Sequence, residues 1–121
     1  MVRTVLLVDD HAGFRELARA LLEEGGYSVV GEAADGVTAL AACRRLHPDA
    51  VLLDVHLPDI DGFALAAALG LEQPPPRVVL TSAHEDERVG SLLRRSGALA
   101  FVPKAALANS QIGALWEQRC G

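Results

Sequence analysis

The sequence has 121 residues, half of them apolar and about a fifth charged, with sixteen acids against eleven bases and a formal net charge of −5. That size and composition describe one ordinary domain: two separate cores would not fit, and the chain is too apolar for intrinsic disorder. No apolar run approaches the roughly 20 residues of a membrane span, and the acidic balance argues against a basic face that neutralises nucleic-acid phosphates.

Apolar runs and helical patterns alternate along the chain. Thr4-Val5-Leu6-Leu7-Val8 is a continuous β-rich run stopping at Asp9-Asp10, as expected of a strand buried on both faces. Phe14, Leu17, Leu21 and Leu22 then recur at helical spacing until Gly25-Gly26. Tyr27 to Val30 predicts a second strand, and Ala39, Leu40, Cys43 and Leu46 mark a helix stopped by Pro48. Ala50 to Leu53 predicts a third strand ending on Asp54. Gly62 to Leu69 predicts a short alanine-rich helix closed by Gly70, before the loop Gln73-Pro74-Pro75-Pro76. Arg77 to Leu80 predicts a fourth strand ending in Thr81-Ser82.

Glu85, Asp86 and Glu87 read as the first turn of a helix ending with Arg94 and Arg95, the charge order that suits the helix dipole. Its interior Gly90 weakens it. Leu99 to Val102 predicts a fifth strand ending at Lys104, and Ala106 to Trp116 a last helix. The expected fold is therefore α/β, with a parallel sheet and helices on both faces.

Ligands of open parallel sheets bind outside the carboxyl ends of the strands, where the strand order reverses. Asp9 and Asp10 follow the first strand, Asp54 the third, Thr81 and Ser82 the fourth, and Lys104 the fifth. In the flavodoxin-like order 2-1-3-4-5 the first and third strands are neighbours, and three carboxylates converge. At ~4 Å and an effective dielectric near 20, each like-charged pair costs on the order of 4 kcal/mol. Lys104 can neutralise one carboxylate, and oxygen ligands with room for water suit a hard divalent cation, above all Mg²⁺. Asp54, central among these groups, could accept a phosphoryl group, with Lys104 and the Thr81 hydroxyl holding its oxygens. Each group alone has an ordinary explanation, since an acid past a strand is most often a cap or turn residue. Four of five strands ending on one edge in acidic, hydroxyl or ammonium groups is what singles out a site.

These residues resemble a bacterial response-regulator receiver domain, from Val2 to about Leu115. The resemblance is carried by Leu6-Leu7-Val8-Asp9-Asp10-His11, Ala34-Asp35-Gly36 with Ala39-Leu40, and Pro48 to Asp54. It continues through Leu57-Pro58, Asp61-Gly62, Thr81-Ser82-Ala83, Gly97-Ala98 and Phe101-Val102-Pro103-Lys104. It implies a (βα)5 three-layer sandwich that is a signalling domain rather than an enzyme. Asp54 would take a phosphoryl group from a sensor histidine kinase, and Asp9, Asp10, Asp54 and the backbone carbonyl of His56 would hold Mg²⁺. Thr81 matches the switching hydroxyl, Lys104 the phosphate-binding lysine, and Phe101 the aromatic that turns inward on activation. The surface of the fourth helix, fifth strand and fifth helix would change. His56 and Ala83, two residues past Asp54 and Thr81, match positions that tune phosphoryl lifetime.

The sequence departs from the family pattern in two places. Ala105 stands where receivers commonly place a proline after the lysine, and Phe101 lacks the hydroxyl of the common tyrosine. Asp9-Asp10-His11, Val30 to Ala33 and Phe101 to Ala105 are most similar to receivers of regulators with a C-terminal helix-turn-helix domain. No such domain lies in residues 1–121, so a stand-alone receiver or one cut from a longer transcription regulator is expected. An aspartate-nucleophile phosphatase would want a second Asp where His56 stands, and dinucleotide binding would want a glycine-rich turn in place of Asp9-Asp10. A phosphorylation-independent interaction module is the remaining alternative. Leu93, Arg94 and Trp116 on the last helices could be solvated, buried or part of a homodimer interface.

Two compositional features remain. Cys43 and Cys120 are too few and too far apart for a disulfide framework or zinc site, and no signal-peptide pattern follows Met1, so a cytoplasmic location is expected. Ten of the eleven bases are arginine, and the one lysine is Lys104.

Overall fold

Two apolar runs sit side by side at the centre of the molecule. In the computed structural model, which describes residues 2–84, 86–109 and 111–117, β1 (Thr4–Val8) lies parallel to β3 (Ala50–Asp54), pairing Val5 with Ala50 through Val8 with Leu53. β2 (Ser28–Ala33) flanks β1, and β4 (Arg77–Ser82) and β5 (Ala100–Pro103) continue beyond β3, giving the order β2-β1-β3-β4-β5 with every pair parallel. The expected flavodoxin-like topology is therefore the observed one.

The connecting helices are α1 (Ala12–Glu24), α2 (Gly36–Leu46), α3 (Gly62–Leu69), α4 (Val89–Ser96) and α5 (Ile112–Trp116). Because alternate strand residues face opposite sides, Leu6, Val8, Val51, Leu53 and Leu80 pack with Ala39, Cys43, Phe63 and Leu69 from α2 and α3. Their neighbours Val5, Leu7, Leu52 and Val79 pack on the other side with Ala18 and Leu22 of α1 and with Leu107, Ile112 and Trp116. No helix among the described residues is long and apolar enough to cross a membrane.

The structure departs from the sequence reading at three places. β2 runs to Ala33 rather than stopping at Val30, with Gly31 and Glu32 opposite Leu6 and Leu7. Gly31 belongs there because a Cβ would meet the Leu46 side chain at 2.7 Å. Glu32 belongs because β2 is an edge strand, where its carboxylate meets Arg15 and Arg19, each at 2.8 Å; those guanidiniums hold it below the usual carboxylate range despite some burial.

The second departure is α4, which begins at Val89 and not at the acids before it; Glu85 lies outside the described residues. Asp86 folds onto the Arg88 backbone N–H at 2.8 Å and onto its guanidinium, making a turn ahead of the helix. Within α4, a Cβ on Gly90 would meet nothing within 4 Å. Gly90→Ala is therefore expected to raise stability by about 1 kcal/mol through helix propensity, read as a higher urea midpoint at unchanged slope.

Third, the last helix is interrupted: a 3-10 turn spans Lys104–Asn109 and α5 only Ile112–Trp116. Asn109, the last residue of that turn, is of a type that favours turns over helix interiors. Trp116 is fully buried, its indole N–H donating to the Val51 carbonyl at 3.3 Å and its ring edge-on to Tyr27 at 5.6 Å. Leu93 packs partly buried against the core while Arg94 is exposed. Cys43 is buried, and burial pushes its thiol up to about 11. Cys120 lies outside the described residues.

Candidate functional site

At the carboxyl edge of the sheet two acids leave their strands by the same local device. Asp9 Oδ1 accepts the N–H of His11 at 2.8 Å, and Asp54 Oδ1 accepts the N–H of His56 at 2.9 Å. Each carboxylate thereby bonds the backbone two residues on and turns the chain sharply out of the sheet. Beyond Asp54, His56 pairs with Asp61 in an isolated antiparallel bridge, and the Gly62 N–H donates to the Val55 carbonyl at 2.7 Å. A Cβ on Gly62 would stand 2.5 Å from the Asp54 carbonyl oxygen and from Val55 Cα, so only glycine lets α3 start this close to Asp54.

The sheet register brings the groups together. Asp54 stands opposite Thr81, and both are buried, as is Asp9. Lys104, the first residue past β5, reaches back so that Nζ lies 2.7 Å from Asp9 Oδ2 and 3.2 Å from Asp54 Oδ2. Ligand atoms of Asp9, Asp10, His11 and Asp54 all lie within 4.8 Å of one another. Asp10 is exposed at the mouth, and His11 Nδ1 is 3.0 Å from Asp10 Oδ1 and 3.2 Å from Asp9 Oδ1. Phe101 is half-buried against the α2 and α3 side of the core, and Ala83 is exposed.

Burial drives the electrostatics. It pushes the Asp54 carboxyl above its ordinary range, and the Asp9 carboxylate adds to this, against the opposing His56 N–H and Lys104 ammonium. Burial also works against the Lys104 charge, but the bond to Asp9 and the nearby Asp54 outweigh it, leaving the ammonium harder to deprotonate than an ordinary lysine. One ammonium balances only one of three acids. The remaining donors are carboxylate oxygens with the His11 imidazole beside them, and the oxygens fit a small divalent cation. The buried Thr81 Oγ1 has no hydrogen-bond partner, an orphaned donor of the kind a phosphoryl oxygen satisfies.

The sequence matches the response regulator receiver domain family over residues 5–114. This chain belongs to that family. As a receiver it is a phosphorelay signalling domain, and aspartate phosphorylation is typical of its relatives. It is 42% identical over 101 residues to the transcriptional regulatory protein NarL of Mycobacterium tuberculosis, covering 83% of this chain and 47% of NarL. A protein-glutamate methylesterase/protein-glutamine glutaminase of Hahella chejuensis is 38% identical over 102 residues, covering 83% of this chain and 29% of the enzyme. The receiver thus spans less than half the length of these relatives. The solved signal receiver domain of M. tuberculosis NarL superposes with a TM-score of 0.82 at 34% identity, covering 97% of this chain and 98% of that one. A LuxR-family response regulator from Aurantimonas gives 0.84 at 29% identity, covering 98% and 89%.

Sequence reasoning missed several groups around the receiver's acids. Arg15 Nη1 donates to the Asp9 carbonyl at 2.5 Å, tying α1 to the end of β1. His56 Nε2 lies 3.6 Å from Asp86, and Arg88 pairs with both Asp86 and Asp61 while its guanidinium lies 5.3 Å from the centre of the Phe63 ring. This chain of charges ties the turn before α4 to the start of α3. The Asp86-Glu87-Arg88 spacing was the available signal, but Asp61 lies 27 residues away.

Proposed function

We propose that Asp54 is the phosphoacceptor of this receiver, taking its phosphoryl group from the phosphohistidine of a sensor histidine kinase. The observation that carries this reading is the arrangement around Asp54: a buried carboxylate faces the chain's only lysine at 3.2 Å, opposite a buried, unpartnered threonine hydroxyl. In the transfer an Asp54 carboxylate oxygen bonds to phosphorus as the P–N bond breaks, and the electron pair stays on the kinase imidazole. Asp9, Asp10, Asp54 and the His56 backbone carbonyl would hold Mg²⁺, which when bound neutralises phosphoryl oxygens. The Asp54 carboxylate is oriented by the His56 N–H, which leaves its second oxygen toward Lys104.

The product carries about −1.5 to −2 charges. Lys104 follows that charge as the ion pair to a phosphoryl oxygen, and the orphaned Thr81 hydroxyl turns to donate to another. Thr81 then leaves space on β4, and the half-buried Phe101 ring, whose residue pairs with Leu80 next to Thr81, moves inward. With no hydroxyl on Phe101, packing alone separates the two ring positions. The α4, β5 and α5 surface reads out the change to an output such as transcription or to a second receiver in a homodimer. The domain acts in the cytoplasm as a non-enzymatic module and makes no direct nucleic-acid contact. His56 and Ala83 tune phosphoryl lifetime: the His56 imidazole stands at the rim beside Asp86, whereas Ala83 leaves its side of the rim open.

This reading is tested by amide spectra recorded with Mg²⁺ and acetyl phosphate. Shifts centred on Thr81, Phe101 and α4 are expected in the wild type and none in Asp54→Asn; identical responses from the two proteins would contradict it.

A further inference from the structure

We propose that Phe14 is a positioning residue for phosphoryl transfer, its ring holding the Lys104 ammonium over Asp54; this rests on the reading of Asp54 as phosphoacceptor. The Lys104 Nζ lies 4.5 Å from the centroid of the Phe14 ring, while Asp9 and Asp54 stand 2.7 and 3.2 Å away. The ammonium is therefore held by two carboxylates and one aromatic ring. Phe14 stands in the first turn of α1, directly after the segment that carries Asp9, Asp10 and His11, and is itself partly buried against the core. The ring is thus carried by the helix that directly follows the acids.

The three contacts differ in what transfer does to them. A cation bound by Asp9 would compete with Lys104 for that carboxylate, and phosphorylation converts the Asp54 carboxylate into an acyl phosphate, a mixed anhydride whose carbonyl oxygen no longer carries the carboxylate charge. The ring is uncharged, competes for neither cation nor phosphoryl oxygens, and keeps its hold through both events. Without it, a four-carbon stem with free rotors would let a strongly hydrated ammonium swing toward solvent whenever Asp9 releases it. The ring also bears on why this one position keeps lysine among ten arginines. A guanidinium would stack flat on the ring and turn its donors along the ring plane, whereas a compact ammonium can face the ring and still point donors at Asp54.

The test separates ring electrostatics from packing. Phe14 is replaced by 4-fluoro-, 3,5-difluoro- and 3,4,5-trifluorophenylalanine, which weaken the negative ring face stepwise with little change in shape, and by Leu and Trp. With acetyl phosphate at saturating Mg²⁺, the phosphorylation rate should fall progressively along the fluorinated series at near-constant melting temperature. It should fall roughly 3- to 30-fold in Phe14→Leu, the range a cation–π contact supports, and be largely retained in Phe14→Trp. A flat rate across the fluorinated series overturns the proposal.

A second readout needs no phosphorylation. Since Lys104 is the only lysine, protein made with isotope-labelled lysine gives one side-chain signal set. Its ε-methylene protons should be shifted upfield by the ring current in the wild type and return to ordinary values in Phe14→Leu. An unshifted wild-type signal also overturns the proposal. A wild type that takes up no phosphoryl group contradicts the phosphoacceptor reading and with it the role of Phe14, while the lysine signal still reports whether the contact exists.

Discussion

Asp54→Asn should melt higher than the wild type when divalent cations are chelated, and its advantage should grow as pH rises above about 4. Burial raises the folded-state pKa of Asp54 above its unfolded value. The folded state therefore binds the Asp54 proton more tightly than the unfolded state does. Wild-type stability is lost as pH rises through the interval between the two values, and the full loss persists above the raised one. Below about pH 4 both states hold the proton, and the wild type has no such disadvantage. Asparagine keeps the shape and can still accept the His56 N–H, but cannot ionise. Because Asp10 opens the pocket to solvent, the repulsion among the carboxylates is screened, and relief on the order of 1 kcal/mol is expected, or roughly 4 °C for a domain of this size. Saturating Mg²⁺ should narrow the gap, since a cation compensates the carboxylates of the wild type. A variant that melts at or below the wild type in chelator would show that the carboxylates do not crowd.

Lys104→Ala has the larger expected cost. It leaves Asp9 and Asp54 buried beside one another without their ammonium, and breaking a buried ion pair from one side typically costs about 3–5 kcal/mol. The open rim lowers this to roughly 2–3 kcal/mol, measured by urea denaturation in chelator. Because the cost comes from stranded carboxylates, it should shrink when Mg²⁺ is added and shrink again in the Asp54→Asn background, a non-additivity that a double-mutant cycle reads directly. Equal costs in both backgrounds would mean that Lys104 stabilises by packing its stem. Lys104→Arg should retain most of the stability but lose phosphorylation-dependent switching, since the wider guanidinium cannot follow a phosphoryl oxygen in the space of an ammonium. Full switching in Lys104→Arg would make the lone lysine an accident of composition.

What could be read in advance followed from how local each signal is. The buried apolar runs 5–8 and 50–53 declare themselves because a strand covered on both faces must be apolar, and the acids directly after them, Asp9 and Asp54, are legible because nothing in such a strand explains them. The end of β2 was hidden because Gly31-Glu32 looks like a turn, and only the close approach of Leu46 and the two arginines of α1 makes it a strand. The acids before α4 looked like a helix N-terminus. Asp86 is instead taken up by Arg88, whose second partner, Asp61, comes from the start of α3. In the site itself, Asp9, Asp54, Thr81 and Lys104 were visible as strand-end polar groups. His11 and Phe14 were not, since one looks like a cap and the other like the first apolar residue of an amphipathic helix; only the return of Lys104 across the sheet edge brings the ring under an ammonium.

The central claim is that Asp54 accepts the phosphoryl group, and intact-mass spectrometry after incubation with acetyl phosphate tests it most directly. A single phosphoryl gain is predicted for the wild type with Mg²⁺, little gain in chelator, and none for Asp54→Asn under either condition. No gain on the wild type, or an equal gain on Asp54→Asn, would contradict the account.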